Sequence, residues 1–212
     1  MNTTSVANEG RLAVGGRHAA EGQCGRPPCG RKPSIRAHGA LPQTRPHKCT
    51  PEVEKHLKCF LQGHICLLGI GNRLWRDDGV GSYVAEALQS QREFDSIDAG
   101  SVPENYLETV VGKHPETILI IDATDFGGAP GELRLLETDK IAQSGISTHA
   151  GSLQMLAKYL RIRTGARIGL LAIQPGDSSA GKGLSPEVAE AAAYLQQALL
   201  AVVGASIARE GL

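Results

Sequence analysis

Four carboxylates and one histidine lie where they could do chemistry together. Asp77 and Asp78 follow a short apolar run, Asp98 and Asp122 each close another, and His149 comes just before a helical pattern. If the apolar runs are parallel strands, their carboxyl ends share one edge of a sheet, and these side chains can meet in one crevice. Carboxylates gathered there repel one another unless a cation binds or a proton is shared. Two carboxylates and an imidazole suit a divalent cation of intermediate softness.

Each of these residues also has a simpler explanation. An aspartate after a strand often forms a turn or caps a helix, which applies equally to Asp125. A histidine near a helix start is often a capping or surface residue. Spacing alone therefore leaves a metal site and a set of structural residues as open alternatives.

The segment His64 to Val84, HICLLGIGNRLWRDDGVGSYV, organises the elements that must position these groups. Residues 65–70 are mostly apolar, as in a buried strand of a parallel sheet. Gly69, Gly71 and Asn72 favour a tight turn. An acid pair then precedes a helix, where negative charge is favourable.

The rest of the chain alternates between the two kinds of element. Strands are predicted at 65–70, 94–98, 117–121, 131–136 and 168–173; helical segments are predicted at 79–91, 103–111, 138–142, from 148–152 onward, and 185–203. Strands alternating with helices predict an α/β fold with a mainly parallel sheet.

The first third of the chain has a different composition. Residues 1 to about 50 are rich in Gly, Pro, Arg and His and lack apolar periodicity, so we predict a disordered tail over 1–63, with a short helix at 51–61, and a folded domain over 64–212. Residues 1–64 carry ten Lys and Arg against four Asp and Glu. We interpret this as a basic flexible tail and expect no nucleic-acid partner.

Cysteine usage favours a reducing compartment. Four of the five cysteines lie in the first sixty residues, and Cys66 lies within an apolar strand, so the domain shows no disulfide framework. A zinc clip formed by Cys24, Cys29, His47 and Cys49 is a less favoured alternative to an unstructured tail, because the spacing is not a standard one. With no apolar run of about 18 residues and no secretion signal, we expect a cytoplasmic protein that does not enter a membrane.

Several other chemistries fit the sequence less well. Leu74 stands where a dinucleotide fingerprint needs its third glycine. The chain has neither a phosphate loop of the Gly-Lys-Ser/Thr type nor a Gly-x-Ser-x-Gly elbow. Cys66 is flanked by apolar residues and is a poor nucleophile candidate.

Five motifs in order resemble those of the hydrogenase maturation proteases, the endopeptidases that process the large subunit of nickel–iron hydrogenases. Over roughly residues 64–204 they read LLGIGNRLWRDDGVG, DAGSVPEN, LIIDATDFGGAPGELRLL, STHAGSLQMLAKYL and LLAIQPG. The second motif looks closest to the branch that serves the formate-linked hydrogenase. The resemblance implies a twisted five-stranded sheet between helices.

The resemblance also implies residue roles. The metal-contacting groups fall on Asp78, Asp122 and His149, while Asp98 falls on a further acidic position in the substrate loop. We therefore expect Asp78, Asp122 and Asp98 to be catalytic. The residues expected to bind substrate are Gly71, Asn72, Asp98 and Gly100. The commoner family motif is Asp-Gly-Gly; the alanine at position 99 removes backbone freedom there.

The implied reaction removes a C-terminal extension from the large-subunit precursor after nickel insertion. Nickel would belong to the substrate, so no permanent cofactor is expected, and a monomer is the default. An aspartate could activate water as a general base, or nickel could polarise the carbonyl as a Lewis acid. One alternative is a nickel-sensing scaffold that does not cleave. A second, less favoured alternative is a peptidyl-tRNA hydrolase. That family needs a histidine soon after the glycine turn, and here no histidine follows the turn before His114.

Overall fold

The computed structural model describes residues 51–137 and 150–210. Five α-helices and five strands occur in this part of the chain. In order they are α1 (Pro51–Phe60), β1 (Ile65–Ile70), α2 (Val80–Ala87), β2 (Asp95–Gly100), α3 (Leu107–Gly112), β3 (Thr117–Ala123), β4 (Leu133–Glu137), α4 (Ala150–Thr164), β5 (Arg167–Ile173) and α5 (Pro186–Glu210). Short 3₁₀ helices at Arg76–Gly79 and Pro103–Tyr106 precede α2 and α3.

The strands form one five-stranded sheet in the order β2-β1-β3-β5-β4. All neighbouring pairs are parallel except β4 with β5, which is antiparallel. The predicted α/β fold with a mainly parallel sheet is therefore confirmed. From β1 the chain first moves outward to β2 and then returns to β3 on the other side. The carboxyl ends of β1 and β3 thus flank the point where an open α/β sheet forms its ligand crevice.

Side chains on alternate strand positions build two apolar layers, one on each face of the sheet. One layer contains Leu67 and Leu119 with residues of α1, α2 and α5. The other contains Leu68 and Ile120 with residues of α3 and α4. Continuous burial of β1, β3 and most of β5 explains why these strands read as unbroken apolar runs.

Several predicted boundaries differ from those observed. Helix α2 ends at Ala87 rather than near 91, because the Leu88 and Gln89 amides bond to carbonyls only three residues back and close the helix in a tight turn. Strand β2 runs on to Gly100. Asp122 was predicted to follow β3 but lies within it. The last helix continues past 203 to Glu210.

Helix α1 packs into the folded unit through Val53, Leu57 and Phe60, which join the same apolar layer as the sheet. The described unit therefore begins before residue 64. The parts of the prediction that lie outside the described residues are the first fifty residues of the predicted 1–63 tail, the zinc alternative within them, the helical turn at 138–142 and His149. In the part of the chain that is described, no helix is long and apolar enough to cross a membrane.

Candidate functional site

A cavity of about 410 Å³ opens at the carboxyl ends of β1 and β3. Its walls come from the turn after β1, the loop after β2, the end of β3, the start of α4 and the loop after β5. The lining residues include Gly71, Asn72, Asp78, Asp122 and Ser178. The structure therefore brings together Gly71, Asn72 and Asp78, which were predicted to bind substrate or metal, with Asp122 of β3 in one cavity.

Asp78 is held by the glycine turn. One of its carboxylate oxygens accepts a hydrogen bond from the Asn72 amide at 3.0 Å. Gly71 has φ +150°, and a Cβ on it would collide with the Asp78 carbonyl oxygen. Glycine is required there because the turn folds back onto the acid-bearing segment. The sequence signal Gly-x-Gly-Asn therefore encodes a turn that cradles Asp78.

A second close approach brings Asp78 to Asp122. A Cβ on Gly81, in the first turn of α2, would run into the carbonyl oxygens of Ile70 and Ile121. The helix start therefore lies directly against the ends of β1 and β3. Asp122 follows Ile121 in β3, so the same contact that seats α2 places the two acids in one cavity.

Asp122 has an environment that favours the neutral carboxyl group. Its residue is only 9% exposed. Burial and the nearby Asp78 charge raise the pKa of Asp122 to about 8, and the hydrogen bond from the Ala123 amide lowers it only in part. Two negative charges in a partly enclosed cavity oppose each other, and a divalent cation or a shared proton would relieve that repulsion.

The other acid of the pair, Asp77, points away from this cavity and is fully buried. Its carboxylate accepts hydrogen bonds from the amides of Gly176 (2.9 Å), Asp177 (2.7 Å) and Ser185 (2.6 Å) and from the Ser185 hydroxyl (2.8 Å). Burial alone would raise its pKa, but these hydrogen bonds outweigh burial and hold the pKa below the usual range. Asp77 therefore joins the turn after β1 to the loop after β5.

Asp98 does not line the cavity. Its carboxylate accepts hydrogen bonds from Arg73 (2.6 Å), from the Ser82 hydroxyl and from the Gly100 amide (3.1 Å). The Arg73 guanidinium also bonds to Glu86 at 2.8 Å. The structure thus shows Asp98 shaping the loop after β2, whose Ser101 and the residues after it form a cavity wall.

Gly100 has a left-handed backbone with φ +57°, and its carbonyl oxygen accepts the Gly71 amide at 2.9 Å. Within the described ranges, the non-glycine residues with positive φ are Arg76 and His114. Ala99 therefore has an ordinary backbone conformation. The departure from the commoner Asp-Gly-Gly motif falls where alanine fits without strain.

His149 lies outside the described residues, so its predicted metal role stays a prediction. Helix α4 begins at the next residue, and Ser152 and Leu153 of that helix line the cavity. Over 51–137 and 150–210, no three His, Cys, Asp or Glu side chains form a metal-binding group. Asp78 and Asp122 are the two predicted ligands that the described part contains.

Gln174 was missed by the reasoning from sequence. It is buried, its side-chain oxygen accepts the amides of Phe126 (2.9 Å) and Gly128 (3.1 Å), and its NH₂ group donates to Asp125 at 3.1 Å. These bonds join the loop after β3 to the loop after β5. Asp125 thus has a structural role in the loop. A glutamine just before Pro-Gly was the only local signal for this.

Comparisons with known proteins agree with this arrangement. A family model described as HycI, hydrogenase maturation protease, matches residues 82–202. The Hydrogenase 3 maturation protease of Escherichia coli (strain K12) is 39% identical over 112 residues, which are 51% of this chain and 71% of that protein. The match to the family model extends over most of α2, the strands after β1 and most of α5.

Two solved structures share the fold. A NiFe hydrogenase maturation protease HycI from Thermococcus kodakarensis KOD1 has a TM-score of 0.65 and 28% identity, covering 70% of this chain and 99% of that chain. The endopeptidase HycI from Escherichia coli, solved in solution, has a TM-score of 0.56 and 30% identity, covering 64% and 88%.

Proposed function

The chain belongs to the hydrogenase maturation proteases, and on this premise we propose that it removes the C-terminal extension of a nickel–iron hydrogenase large-subunit precursor after nickel insertion. The observation that carries the proposal is the meeting of Asp78 and Asp122 in one cavity at the switch point of the sheet. Such crevices are where open α/β sheets bind their ligands.

The charge arrangement supports recognition of a cation. Asp78 and Asp122 face the same space, and neither forms an ion pair with a Lys or Arg within the described ranges. A divalent ion arriving with the substrate relieves their repulsion, and His149 supplies a third ligand of the kind that nickel accepts. Nickel is thus part of the substrate, and the protein keeps no cofactor of its own.

The residues of the cavity suggest how a peptide bond would be cut. Asp78 and Asp122 line the cavity that would receive the cation, and either could hold a water molecule against the scissile carbonyl and accept its proton. Polarisation of that carbonyl by the substrate's nickel is the other route. Asp98 acts on the substrate through the loop that it shapes. Gly71 and Asn72 line the cavity, and Gly100 supports them through the hydrogen bond from the Gly71 amide to its carbonyl oxygen. We propose a cytoplasmic monomer.

The test is C-terminal trimming of a precursor large subunit, prepared with and without nickel, by the full chain. Wild-type protein should trim only the nickel-loaded precursor, and Asp78→Ala and His149→Ala should both abolish trimming. Asp95→Asn is the matched control, because Asp95 lies at the opposite, amino-terminal end of β2 and pairs with Lys113 and His64 there. It should trim normally.

Three results would change the proposal. Normal trimming by both the Asp78 and His149 variants contradicts the residue assignment. Trimming of nickel-free precursor retains a protease and removes metal recognition. Stable binding of nickel-loaded precursor without cleavage favours the non-cleaving scaffold.

A further inference from the structure

The most highly connected buried carboxylate in the described part of the chain is one that the proposed chemistry does not use. Asp77 sits beside Asp78 in sequence, yet its side chain faces the loop after β5 and accepts four hydrogen bonds there. A buried carboxylate is tolerated only when such donors replace its hydration. The donors belong to residues about 100 positions away, so Asp77 links two segments that only the fold brings together.

Backbone bonds reinforce the same link. The Asp77 amide donates to the Asp177 carbonyl at 3.1 Å, the Arg76 amide donates to the Gly181 carbonyl at 3.0 Å, and the Gly181 amide donates to the Leu74 carbonyl at 2.8 Å. Together with the Asp77 carboxylate, these bonds connect the turn 74–77 with the loop 176–185. We call this set of contacts the Asp77 clip.

The clip stabilises an unfavourable backbone conformation at Arg76. Arg76 has φ +44°, a left-handed value that is unfavourable for a residue with a long side chain. Such conformations persist where surrounding contacts over-determine them, often beside functional groups. Two residues later the chain presents Asp78 to the cavity, so the angle at Arg76 sets the direction in which Asp78 leaves the turn.

Both segments joined by the clip are walls of the cavity. Trp75 and Asp78 line it from the turn, and Ser178 lines it from the loop after β5. We propose that Asp77 is a positioning residue of the protease site, which fixes the Asp78 carboxylate relative to Asp122 and fixes the facing loop as one rigid frame. This inference rests on the proposed function, and it concerns turnover rather than folding.

Asp77→Asn tests the proposal because it keeps the shape of the side chain but replaces one acceptor oxygen with an NH₂ donor. Either orientation of the amide then faces at least one backbone N–H with another donor. With nickel-loaded precursor and full-length protein, we expect kcat to fall at least tenfold while KM changes less than threefold. The substrate surface is retained in this variant, but the reacting group is misdirected.

A stability-matched variant separates positioning from folding. Leu195 is fully buried in the apolar layer of α5, and no atom of it lines the cavity. Leu195→Ala should lower the melting temperature at least as much as Asp77→Asn, yet keep the wild-type kcat when assayed well below melting. If Asp77→Asn also keeps that kcat under the same conditions, or loses no more of it than Leu195→Ala does, Asp77 is structural only and the proposal is overturned.

Ser185 provides a second, milder probe that decides the question if Asp77→Asn does not fold. Ser185→Ala removes one of the four hydrogen bonds to Asp77, and Ser185→Thr retains the hydroxyl. We expect kcat to fall about threefold in the alanine variant, with unchanged KM, and to be restored in the threonine variant. An unchanged kcat in Ser185→Ala contradicts the proposal. Absence of trimming by the wild-type chain would instead contradict the proposed function itself.

Discussion

Two buried carboxylates in the described part of this protein have opposite surroundings. In the Asp77 clip, four donors converge on one carboxylate, and they hold its pKa low. In the cavity, the Asp122 carboxyl group has one backbone amide and a neighbouring negative charge, and its pKa is raised to about 8. Both residues are inaccessible to solvent or nearly so.

The difference shows that burial by itself does not determine the state of an acid. Desolvation opposes ionisation at both positions, and the number of donors decides whether it prevails. Where donors are complete, as at Asp77, the carboxylate stays ionised and holds neighbouring segments together. Where they are missing, as at Asp122, the group is left in need of a proton or a cation, which is the condition expected of a functional residue.

Exchange of the Asp122 carboxyl for an amide gives the largest expected effect. In Asp122→Asn the cavity loses a negative ligand, so trimming of nickel-loaded precursor should fall by about 100-fold or more. The same change removes a group that is costly to ionise, so the free energy of unfolding at pH 7 should rise by about 1–3 kcal/mol. Trimming and chemical denaturation are the two measurements. Loss of stability together with loss of activity would show that the Asp122 carboxyl group stabilises the fold.

The pH dependence of stability should separate the two carboxylates in the wild-type protein. Because the folded-state pKa of Asp122 is raised, the unfolded chain releases that proton first, and the free energy of unfolding falls as pH rises from about 4 toward 8, by at most about 1.4 kcal/mol per pH unit. Because the pKa of Asp77 is lowered, its contribution is present above about pH 4 and is lost as pH falls below that. Denaturation of metal-free protein at several pH values measures both.

Two variants identify which carboxylate causes each part of this pH dependence of the free energy of unfolding. In Asp122→Asn, the decline of the free energy of unfolding between pH 4 and 8 should flatten, while the loss of stability below about pH 4 remains. In Asp77→Asn, the loss below about pH 4 should flatten, while the decline between pH 4 and 8 remains. A decline that persists unchanged in Asp122→Asn would mean that another group titrates there.

Removal of the neighbouring Asp78 charge tests how much that charge contributes to the raised pKa of Asp122. Asp78→Asn retains the size of the side chain but removes the charge that faces Asp122. The pKa of Asp122 should fall below about 8 and remain above its ordinary value, because burial persists. Titration of the aspartate side-chain carbon signals by NMR would follow it. Asp95→Asn is the matched control, and it should leave the Asp122 titration unchanged.

Local patterns in the sequence were sufficient for the sheet and for the position of the cavity. The apolar runs of β1, β3 and β5 predicted buried parallel strands because both faces of these strands are covered. The Gly-x-Gly-Asn turn predicted tight geometry at Gly71. The family resemblance then named Asp78 and Asp122, and the structure places both in one cavity.

The sequence did not indicate that Asp77 bonds to the loop after β5 while Asp78 lines the cavity. They are adjacent acids before one helix, and what separates them is a loop about 100 residues later that supplies backbone amides to only one of them. Backbone donors carry no residue signature. The same reason hides Gln174, and the charge of Asp98 could not be known to pair with Arg73, 25 residues earlier in the chain. The end of α2 was missed because its last turn tightens.

The smallest expected effect comes from a single donor of the clip. The Ser185 hydroxyl donates to the charged Asp77 at 2.8 Å, whereas the Ser96 hydroxyl donates to the neutral Ala85 carbonyl at 2.7 Å. Hydrogen bonds to charged groups are the stronger kind, so Ser185→Ala should lower the free energy of unfolding at pH 7 by about 1.5–2 kcal/mol and Ser96→Ala by about 1 kcal/mol or less. The difference between the two losses should shrink below about pH 4, where Asp77 binds a proton. Equal losses at every pH would mean that the low pKa of Asp77 depends on the three backbone amides alone.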